Sequence, residues 1–597
     1  MDIALVSPPW PLFNRPSIQI GVLKAFLKSN LPHETRIRNL HPYLRVARAV
    51  GFNDYHIISQ SSWASEAVFS NLLFPGRKGP ERLFVRALRA RRIGNLGGDF
   101  RKICQGAKKA LEGYIQALDF SNTKLVGISV CLNQLSAALF IARCIKEKYP
   151  KVPVVMGGAS VSGGIGHGIL KAFSWPDFII DGEGELPLLS LSRYFLGLSA
   201  SFDSSAVSSR NDLQKATKKE QITHLEWLPV PDYDDFFREL YSIEGCQGIK
   251  VVLPLEASRG CWWGRCSFCN LNLQWKGYRM KKVEQVATES RLLSQRYSCI
   301  DFAFMDNCLP RMQAAQIFDT ISTHDKDYSF FAELRPGHTK SELKRMARGG
   351  LDTVQIGIEA LSTSLLRRLR KGVSAIDNLA AMKLCAELGI RLEANLITCF
   401  PGSTLKEVEE TLDNLDFAWP FPPLKPVRFW LGMESPVFRH YKDFGIRSIR
   451  PDRRYKELFP DDVARKLVPL VFEYTGDRKR QARHWRPVEK RLLFFAKRRK
   501  ELAISGPAIT YRDGGHFLLV RQILENGEIL NHRLSNLSRK LYLTAEEPIE
   551  VNKLFSVANN VPNEKIDAFL RQMVSKRLMF MEDGKVLSLA CKYSKNR

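Results

Sequence analysis

Apolar residues fall along this chain in two recurring patterns. Short runs of about four to eight, rich in Val, Ile and Leu, alternate with longer stretches where apolar residues return every three or four positions. The first pattern predicts strands covered on both faces, the second helices with one covered face. Residues 2–8 read as a strand and 18–28 as the helix after it. A helix at 102–118, an apolar run at 125–130, a helix at 135–148 and runs at 152–156 and 178–180 follow, with Gly or Ser near the strand ends. Between 50 and 99 the pattern weakens into short helices carrying Trp63, Phe69, Leu72 and Phe74, beside a basic stretch over 82–92. This alternation predicts an open parallel α/β sheet over 1–198. Ligands of such sheets sit at the carboxyl ends of the strands.

Residues 199–225, rich in Ser, Lys, Asp and Gln, read as a linker. Beyond it the runs VVLPLEA, CIDFAFMD, YSFFAELR, DTVQIGIE, RLEANLITCF and VRFWLGME recur with helices between them. They predict a second α/β body over 226–440, a partial (β/α)6 barrel. Residues 441–505 read as a basic helical extension holding Arg478-Lys479-Arg480 and Lys497-Arg498-Arg499-Lys500. In 506–597, helices at 534–543, 551–559 and 563–576 precede a β-pair in LMFMEDGKVLSLA that turns at Asp583-Gly584. Three helices and a hairpin predict a winged-helix-like domain.

Composition narrows the classes. Apolar residues make up 45% of the 597 and charged residues 25%, enough for packed cores and against global disorder. Without an apolar run of about 18 residues the chain is not expected to span a membrane. Its start, MDIALVSPPWPLF, lacks the basic region of a secretory signal. Lys and Arg exceed Asp and Glu by 27, which favours an anionic partner: nucleic acid, anionic lipid or an acidic peptide. Twelve cysteines in so long a chain are too sparse for a disulfide scaffold, so a cytoplasmic protein with reduced thiols is expected and clustered cysteines point to metal chemistry.

One such cluster stands out in Ser258-Arg259-Gly260-Cys261-Trp262-Trp263-Gly264-Arg265-Cys266-Ser267-Phe268-Cys269, directly after a predicted strand. Three close thiolates can hold three irons of a [4Fe–4S] cluster and leave the fourth open to a small ligand. Structural zinc is the alternative, but it needs a fourth ligand, and the nearest downstream cysteines are Cys299 and Cys308.

The stretch resembles the radical S-adenosylmethionine (SAM) superfamily, whose usual motif is C-x3-C-x2-C with an aromatic before the last cysteine. Phe268 takes that aromatic place, while four residues rather than three separate Cys261 from Cys266. The resemblance implies a cluster on Cys261, Cys266 and Cys269. It implies SAM contacts from Phe268, from Asp306 with Asn307 after the second strand, and from Glu333 and Arg335 after the third. Further contacts implied are Gly357, Glu359, Ser362 and Arg370 at the fourth strand, and Asn395 and Pro401 at the fifth.

The first sheet resembles a Rossmann-like cobalamin-binding domain. Ser129-Val130-Cys131 and Gly157-Gly158 match later parts of that pattern, and Asp181-Gly182-Glu183-Gly184-Glu185 a strand end bordering the site. The D-x-H-x-x-G element is missing, so His33, His41, His56 and His167 do not stand where a cobalt ligand would. The implied cobalamin contacts are Pro9, Ser17, Ser129, Asn133, Gln134, Gly157, Gly158, Gly182, Glu183 and Gly184.

Together with Arg15-Pro16-Ser17-Ile18, CWWG, RFWLGMESPVF and Tyr511-Arg512-Asp513-Gly514-Gly515, these features resemble one subgroup. It is the cobalamin-dependent radical SAM C-methyltransferases that mature ribosomally made peptides. The resemblance implies methylation of an unactivated peptide carbon, SAM being used both as methyl source and as radical source. It also implies a precursor peptide, held through an acidic leader by the basic helices or the terminal domain, and an electron donor such as flavodoxin or ferredoxin. Nucleic acid is not the expected partner. Competing readings are a radical SAM peptide epimerase or cyclase, a radical SAM enzyme acting on RNA, and a non-enzymatic winged-helix regulator that senses cobalamin.

Overall fold

The computed structural model describes residues 1–90, 96–213, 217–558 and 561–593. The end of the expected basic stretch (91–92), the middle of the expected linker (214–216) and the last residue of one expected helix (559) lie outside them.

The first body is a six-stranded sheet built from β1 (Asp2–Val6), β2 (Arg36–Leu40), β3 (Thr123–Ser129), β4 (Val154–Gly157), β5 (Phe178–Ile180) and β6 (Val207–Ser209). The order is β2-β1-β3-β4-β5-β6, parallel throughout except for β6. Successive side chains feed opposite faces, so Ile3 and Leu5 join one core with helices Ile18–Asn30 and Glu185–Phe195, while Ala4 and Val6 join the other. That other face is covered by helices Ser62–Leu73, Phe100–Ala117 and Leu135–Lys148.

Two features differ from the sequence reading. Strand β2 (RIRNL) carries its two arginines at a sheet edge, so its apolar content is too low to read as a buried strand. The expected linker over 199–225 contributes β6, antiparallel to β5, and Glu220 bridges Gly182. A polar segment can close the sheet there because only one of its edges needs a partner.

In the second body β7 (Leu253–Leu255), β10 (Asp301–Phe304), β11 (Ser329–Leu334), β12 (Leu351–Ile356) and β13 (Arg391–Glu393) form one parallel sheet. A small antiparallel ladder of β8 (Ser258–Arg259) and β9 (Arg279–Met280) projects after β7. The run read as a fifth strand breaks at Ala394, and β14 (Asn395–Thr398) pairs in parallel with β15 (Lys425–Arg428). Glu359, with φ 60°, turns the chain after β12 so that its N–H donates to the Asn395 carbonyl and its carbonyl accepts from Ile397. That bridge joins the two pieces into one curled, open barrel.

The expected helical extension over 441–505 is mixed. β17 (Ser448–Pro451) and β18 (Val471–Thr475) make an antiparallel sheet with β16 (Leu431–Gly432) before helices Arg478–His484 and Arg486–Glu501. Part of its basic run is structural. Arg499 is buried, donating to the carbonyls of Trp419 (3.0 Å) and Gly506 (2.5 Å), and Arg498 donates to those of Glu525 and Asn526.

The last body holds β19 (Ile509–Asp513), β20 (Phe517–Ile523) and β21 (Ile529–Ser535), with β25 (Cys591–Lys592) alongside β19. Helices Leu537–Thr544, Val551–Val557 and Asn563–Ser575 lie with the three-stranded sheet of β22 (Ile549–Glu550), β24 (Lys585–Ser588) and β23 (Met579–Glu582). This wing is fastened to the barrel. Glu582 accepts hydrogen bonds from Ile376 N (3.0 Å) and Thr363 Oγ1 (2.6 Å), and buried Lys383 donates to the Glu546 carbonyl (2.7 Å). Among the described residues no helix is long and apolar enough to cross a membrane.

Candidate functional site

A cavity of about 260 Å³ lies at the carboxyl ends of β1, β3, β4 and β5. Its floor is apolar, from Leu5, Ile18, Val155, Ile180 and Leu188, and its rim is Ser129, Gly157, Gly158, Gly182, Glu183 and Gly184. Backbone shapes the rim. Gly158 has φ 113°, and a Cβ there would stand 2.7 Å from the Val130 carbonyl oxygen, so only glycine fits. The opposite wall comes from the barrel: Glu256, Ser258, Gly260, Trp275, Met305 and Asn307. Glu256 Oε2, Trp275 Nε1 and Asn307 Nδ2 are buried on this wall with no hydrogen-bond partner. Buried polar atoms are ordinarily paired, so three orphans on one cavity mark a ligand's place. The apolar floor suits the flat nucleotide end of a corrinoid, and the glycine rim lets its bulk approach the backbone.

The two bodies meet at a buried charge network. Arg259 contacts Glu185 (2.7 Å), Glu256 (2.9 Å) and Glu183 (3.2 Å), and Arg279 also reaches Glu183. Burial works to raise the Glu185 carboxyl, and Arg259 outweighs it, leaving Glu185 below the usual carboxylate range. Removing one partner of a network this buried would leave its counter-charge unpaired away from water, which is strongly destabilising.

Beyond Arg259 the chain turns at Gly260 (φ 87°), where a Cβ would stand 2.2 Å from the Gly277 carbonyl oxygen. The turn delivers Cys261, Cys266 and Cys269 to a second cavity of about 500 Å³, and Trp275 lines both cavities. All three cysteines are free thiols. Among the described residues, no three His, Cys, Asp or Glu side chains close on a single metal ion. Three thiols on one cavity can each take one iron of a polynuclear cluster, whereas a structural zinc site would need a fourth ligand.

Positive charge surrounds this loop. Arg335 places Nη1 3.8 Å from Cys266 Sγ, lies 4.5 Å over the Trp263 ring and 5.4 Å over Trp262, and donates to the Lys371 carbonyl. Lys371 is buried, 3.3 Å from Glu359 and 5.9 Å over the Phe268 ring. Burial pushes the Cys269 thiol up to about 11 and raises Cys266, where Lys371 and Arg335 oppose it. A bound metal would hold these groups as thiolates.

Facing them are buried carboxyls. Asp306 is pushed up to about 7 by burial, although Ser258 Oγ (2.5 Å) and Ala257 N (3.0 Å) donate to it. Glu333 is pushed up to about 7 by burial and then by Glu359 and Asp306. At Gly357 a Cβ would stand 2.4 Å from Lys371 Nζ and 2.9 Å from the Glu359 carboxylate, so glycine there admits the ion pair.

The expected residues divide. Phe268, Asp306, Glu333, Arg335, Gly357 and Glu359 gather around the cysteine loop through these contacts. Ser362 instead caps helix Thr363–Arg368, accepting from Leu365 N and donating to Glu410, and Arg370 is exposed with its carbonyl accepting from Trp263 Nε1. Asn395 joins through its backbone, and Pro401 is buried in a turn where Gly402 N donates to Asp477. Of the expected cobalamin contacts, Ser129, Gly157, Gly158, Gly182, Glu183 and Gly184 line the first cavity, whereas Pro9, Ser17, Asn133 and Gln134 do not. Gln134 instead ties two loops, donating to the Pro8 carbonyl and accepting from Cys131 N. Ser17 donates to Gln19, and Asn133 to the Ser59 carbonyl. Sequence reasoning gave no role to Glu256, Trp275 or the Arg259 network. A carboxylate ending the apolar run VVLPLE was the available signal.

Residues 255–415 match the model of the radical SAM superfamily. An uncharacterised methyltransferase of Pyrococcus horikoshii is 28% identical over 326 residues, covering 51% of this chain and 68% of that one. Among solved structures, the cobalamin-dependent SAM radical enzyme OxsB, with aqua-cobalamin and SAM bound, superposes with a TM-score of 0.55. It is 16% identical, over 85% of this chain and 69% of that one. The radical SAM methyltransferase TsrM from Kitasatospora setae, with cobalamin and a [4Fe–4S] cluster bound, gives a TM-score of 0.55 at 14% identity, over 83% of this chain and 88% of its own. The chain shares the α/β fold of these enzymes.

Proposed function

We propose that this chain is a cobalamin-dependent radical SAM methyltransferase that places a methyl group on an unactivated carbon of a ribosomally made precursor peptide. The observation that carries the reading is adjacency. The glycine-rimmed cavity of the first sheet and the cysteine cavity of the barrel share Trp275, and the first carries three unpartnered polar atoms on its barrel wall. A methyl donor in one and a radical source in the other would face a common substrate. The peptide assignment rests on the sequence resemblance and on the basic rim of the cysteine cavity, with Lys218, Lys219, Lys276 and Arg439 against Glu434.

In this reading Cys261, Cys266 and Cys269 would hold the [4Fe–4S] cluster, Asp306, Glu333, Glu359 and Phe268, which gather near the loop, would border SAM, and the rim residues Ser129, Gly157, Gly158, Gly182, Glu183 and Gly184 would take cobalamin. When bound, the cluster supplies the electron for SAM cleavage and the corrinoid the methyl group. The chain's own residues supply placement. Arg335 and Lys371 set positive charge against the sulfurs, which favours the added electron. Trp262 and Trp263 pack against the Arg335 guanidinium and hold it beside Cys266. The Asp306 carboxyl fixes Ser258 and Ala257, and through them the start of the cysteine loop. The Arg259 network fixes the separation of the two cavities.

The test is anaerobic turnover of the reconstituted chain with methyl-labelled SAM and precursor peptides. Label fixed on peptide carbon only when cobalamin is supplied is the expected result. Formation of 5′-deoxyadenosine with no methyl transfer, cobalamin present, would contradict it.

A further inference from the structure

The basic stretch of the first body is unused by the function proposed above, and it lines a cavity of about 790 Å³ that opens to solvent. Six basic side chains face it: Arg77, then Lys78, Arg82, Arg86 and Arg89 on helix Lys78–Ala90, and Arg101 on helix Phe100–Ala117. Glu81 is the one carboxylate in the lining. Lys78, Arg82 and Arg86 recur at every fourth residue and so share one helix face, while Leu83 and Phe84 bury the opposite one. Arg86 pairs with Glu457 at 2.7 Å and stays half exposed. Lys78, Arg82, Arg89 and Arg101 are exposed, with no carboxylate partner among the described residues. The wall is fixed in place. Gly79 packs so closely on helix Arg454–Leu458 that a Cβ there would stand 2.3 Å from the Glu457 carbonyl oxygen. Arg77 reaches the end of that helix, donating to the carbonyls of Lys456 (2.8 Å) and Phe459 (2.9 Å), and its Nε is buried without a partner. Helix Lys78–Ala90 turns back along helix Ser62–Leu73, whose Ser65 carbonyl accepts from Trp10 just beyond β1. The row of cations therefore runs toward the strand ends that carry the first cavity.

We infer that this groove docks an acidic, extended segment of a peptide, away from the residue that is methylated. That the peptide is the substrate rests on the function proposed above; the chemistry of the groove does not. Charge and spacing choose the occupant. Each four-residue step along the helix rises about 6 Å, and alternate side chains of an extended strand recur every ~6.6 Å on one face. Carboxylates at every second residue of a peptide thus meet Lys78, Arg82 and Arg86 in turn. The arginines add bidentate geometry to the attraction. Single-stranded nucleic acid needs aromatic faces for its bases, and the one aromatic ring of the lining, Phe100, is buried against Phe84 at 4.8 Å.

The experiment titrates the full reconstituted chain into a fluorescein-labelled octapeptide of alternating Glu and Ser, read by anisotropy at low salt. We expect R82E/R89E to bind it roughly tenfold more weakly, and wild-type binding to weaken as salt rises toward ~0.15 M, where screening acts over about 8 Å. K497E/K500E, which reverses the other basic run by the same charge, should stay within about twofold of wild type. Wild-type affinity in R82E/R89E, an equal loss in K497E/K500E, or tighter binding of an octauridine RNA than of the peptide would each overturn the groove as a peptide site. If R82E/R89E does not fold, R82Q/R89Q is read by the same titration, with an expected loss of about threefold. The substrate part fails separately. R82E/R89E that loses the octapeptide yet leaves the KM for precursor peptide unchanged would show that the groove serves another acidic peptide. Absence of methyl label on any peptide would overturn the proposed function and leave the titration standing.

Discussion

The two halves of the site are built by opposite means. In the first sheet the cavity is made by what is missing: glycines at 157, 158, 182 and 184 leave room at the strand ends, and the floor is apolar. In the barrel the site is made by what is added: thiols, an arginine, a lysine and carboxyls pressed into burial. A bulky preformed cofactor needs space first, with charge kept to the self-paired Arg259 network on the cavity wall, whereas a reducible cluster and a zwitterionic ligand need charge fixed beside them. Substitutions in one half should therefore fail sterically and in the other electrostatically, with little crossing over.

The largest expected effect is at Cys266. In Cys266→Ala, iron–sulfur reconstitution should be lost, iron falling from about four per chain toward zero, while cobalamin binding to the sheet persists. Unchanged iron content would remove Cys266 from the cluster. The converse break is Gly157→Leu. A Cβ at 157 meets Ile180 at an ordinary 3.6 Å, so the backbone accepts a side chain, but leucine fills the cavity. Cobalamin affinity should drop about tenfold or more with iron content intact. Equal loss of both would show that the halves are not separable.

A smaller effect sharpens the electrostatic half. Glu333 titrates near 7 in the folded chain, above the ordinary carboxyl range near 4.3 that it keeps when unfolded. The fold is thus relatively most stable with Glu333 protonated, and loses stability as pH rises from about 4 to 7. Glu333→Gln cannot ionise, so its melting temperature relative to wild type should climb across that window and level off above it. A pH-independent difference would mean that the carboxyl is not strained by burial. The smallest effect lies outside both cavities. Glu582→Ala removes two hydrogen bonds that fasten the wing to the barrel and should cost about 1–2 kcal/mol in denaturant unfolding with metal content unchanged.

How far the sequence revealed this molecule follows from the same contrast. Strands such as β1, β3 and β4 were legible because both faces are buried and the apolar run is continuous. β2 and β6 were not, since edge position lets Arg36, Arg38 and serines stand in a strand. The cysteine loop was legible because its ligands are adjacent in the chain. The Arg259 network was hidden because Glu185 is 74 residues away and its partnership exists only once the bodies dock. Ser362 and Gln134 engage their side chains in a helix cap and a loop tie, partnerships that the linear sequence does not display.

The central claim is that one chain holds a cluster in its barrel and a corrinoid in its sheet. Metal analysis of anaerobically purified, reconstituted protein supplied with cobalamin tests it most directly. About four irons with matching sulfide, and one cobalt per chain, is the result this account requires. Zinc in place of iron would contradict the reading of Cys261, Cys266 and Cys269, and iron without cobalt would contradict that of the glycine-rimmed cavity.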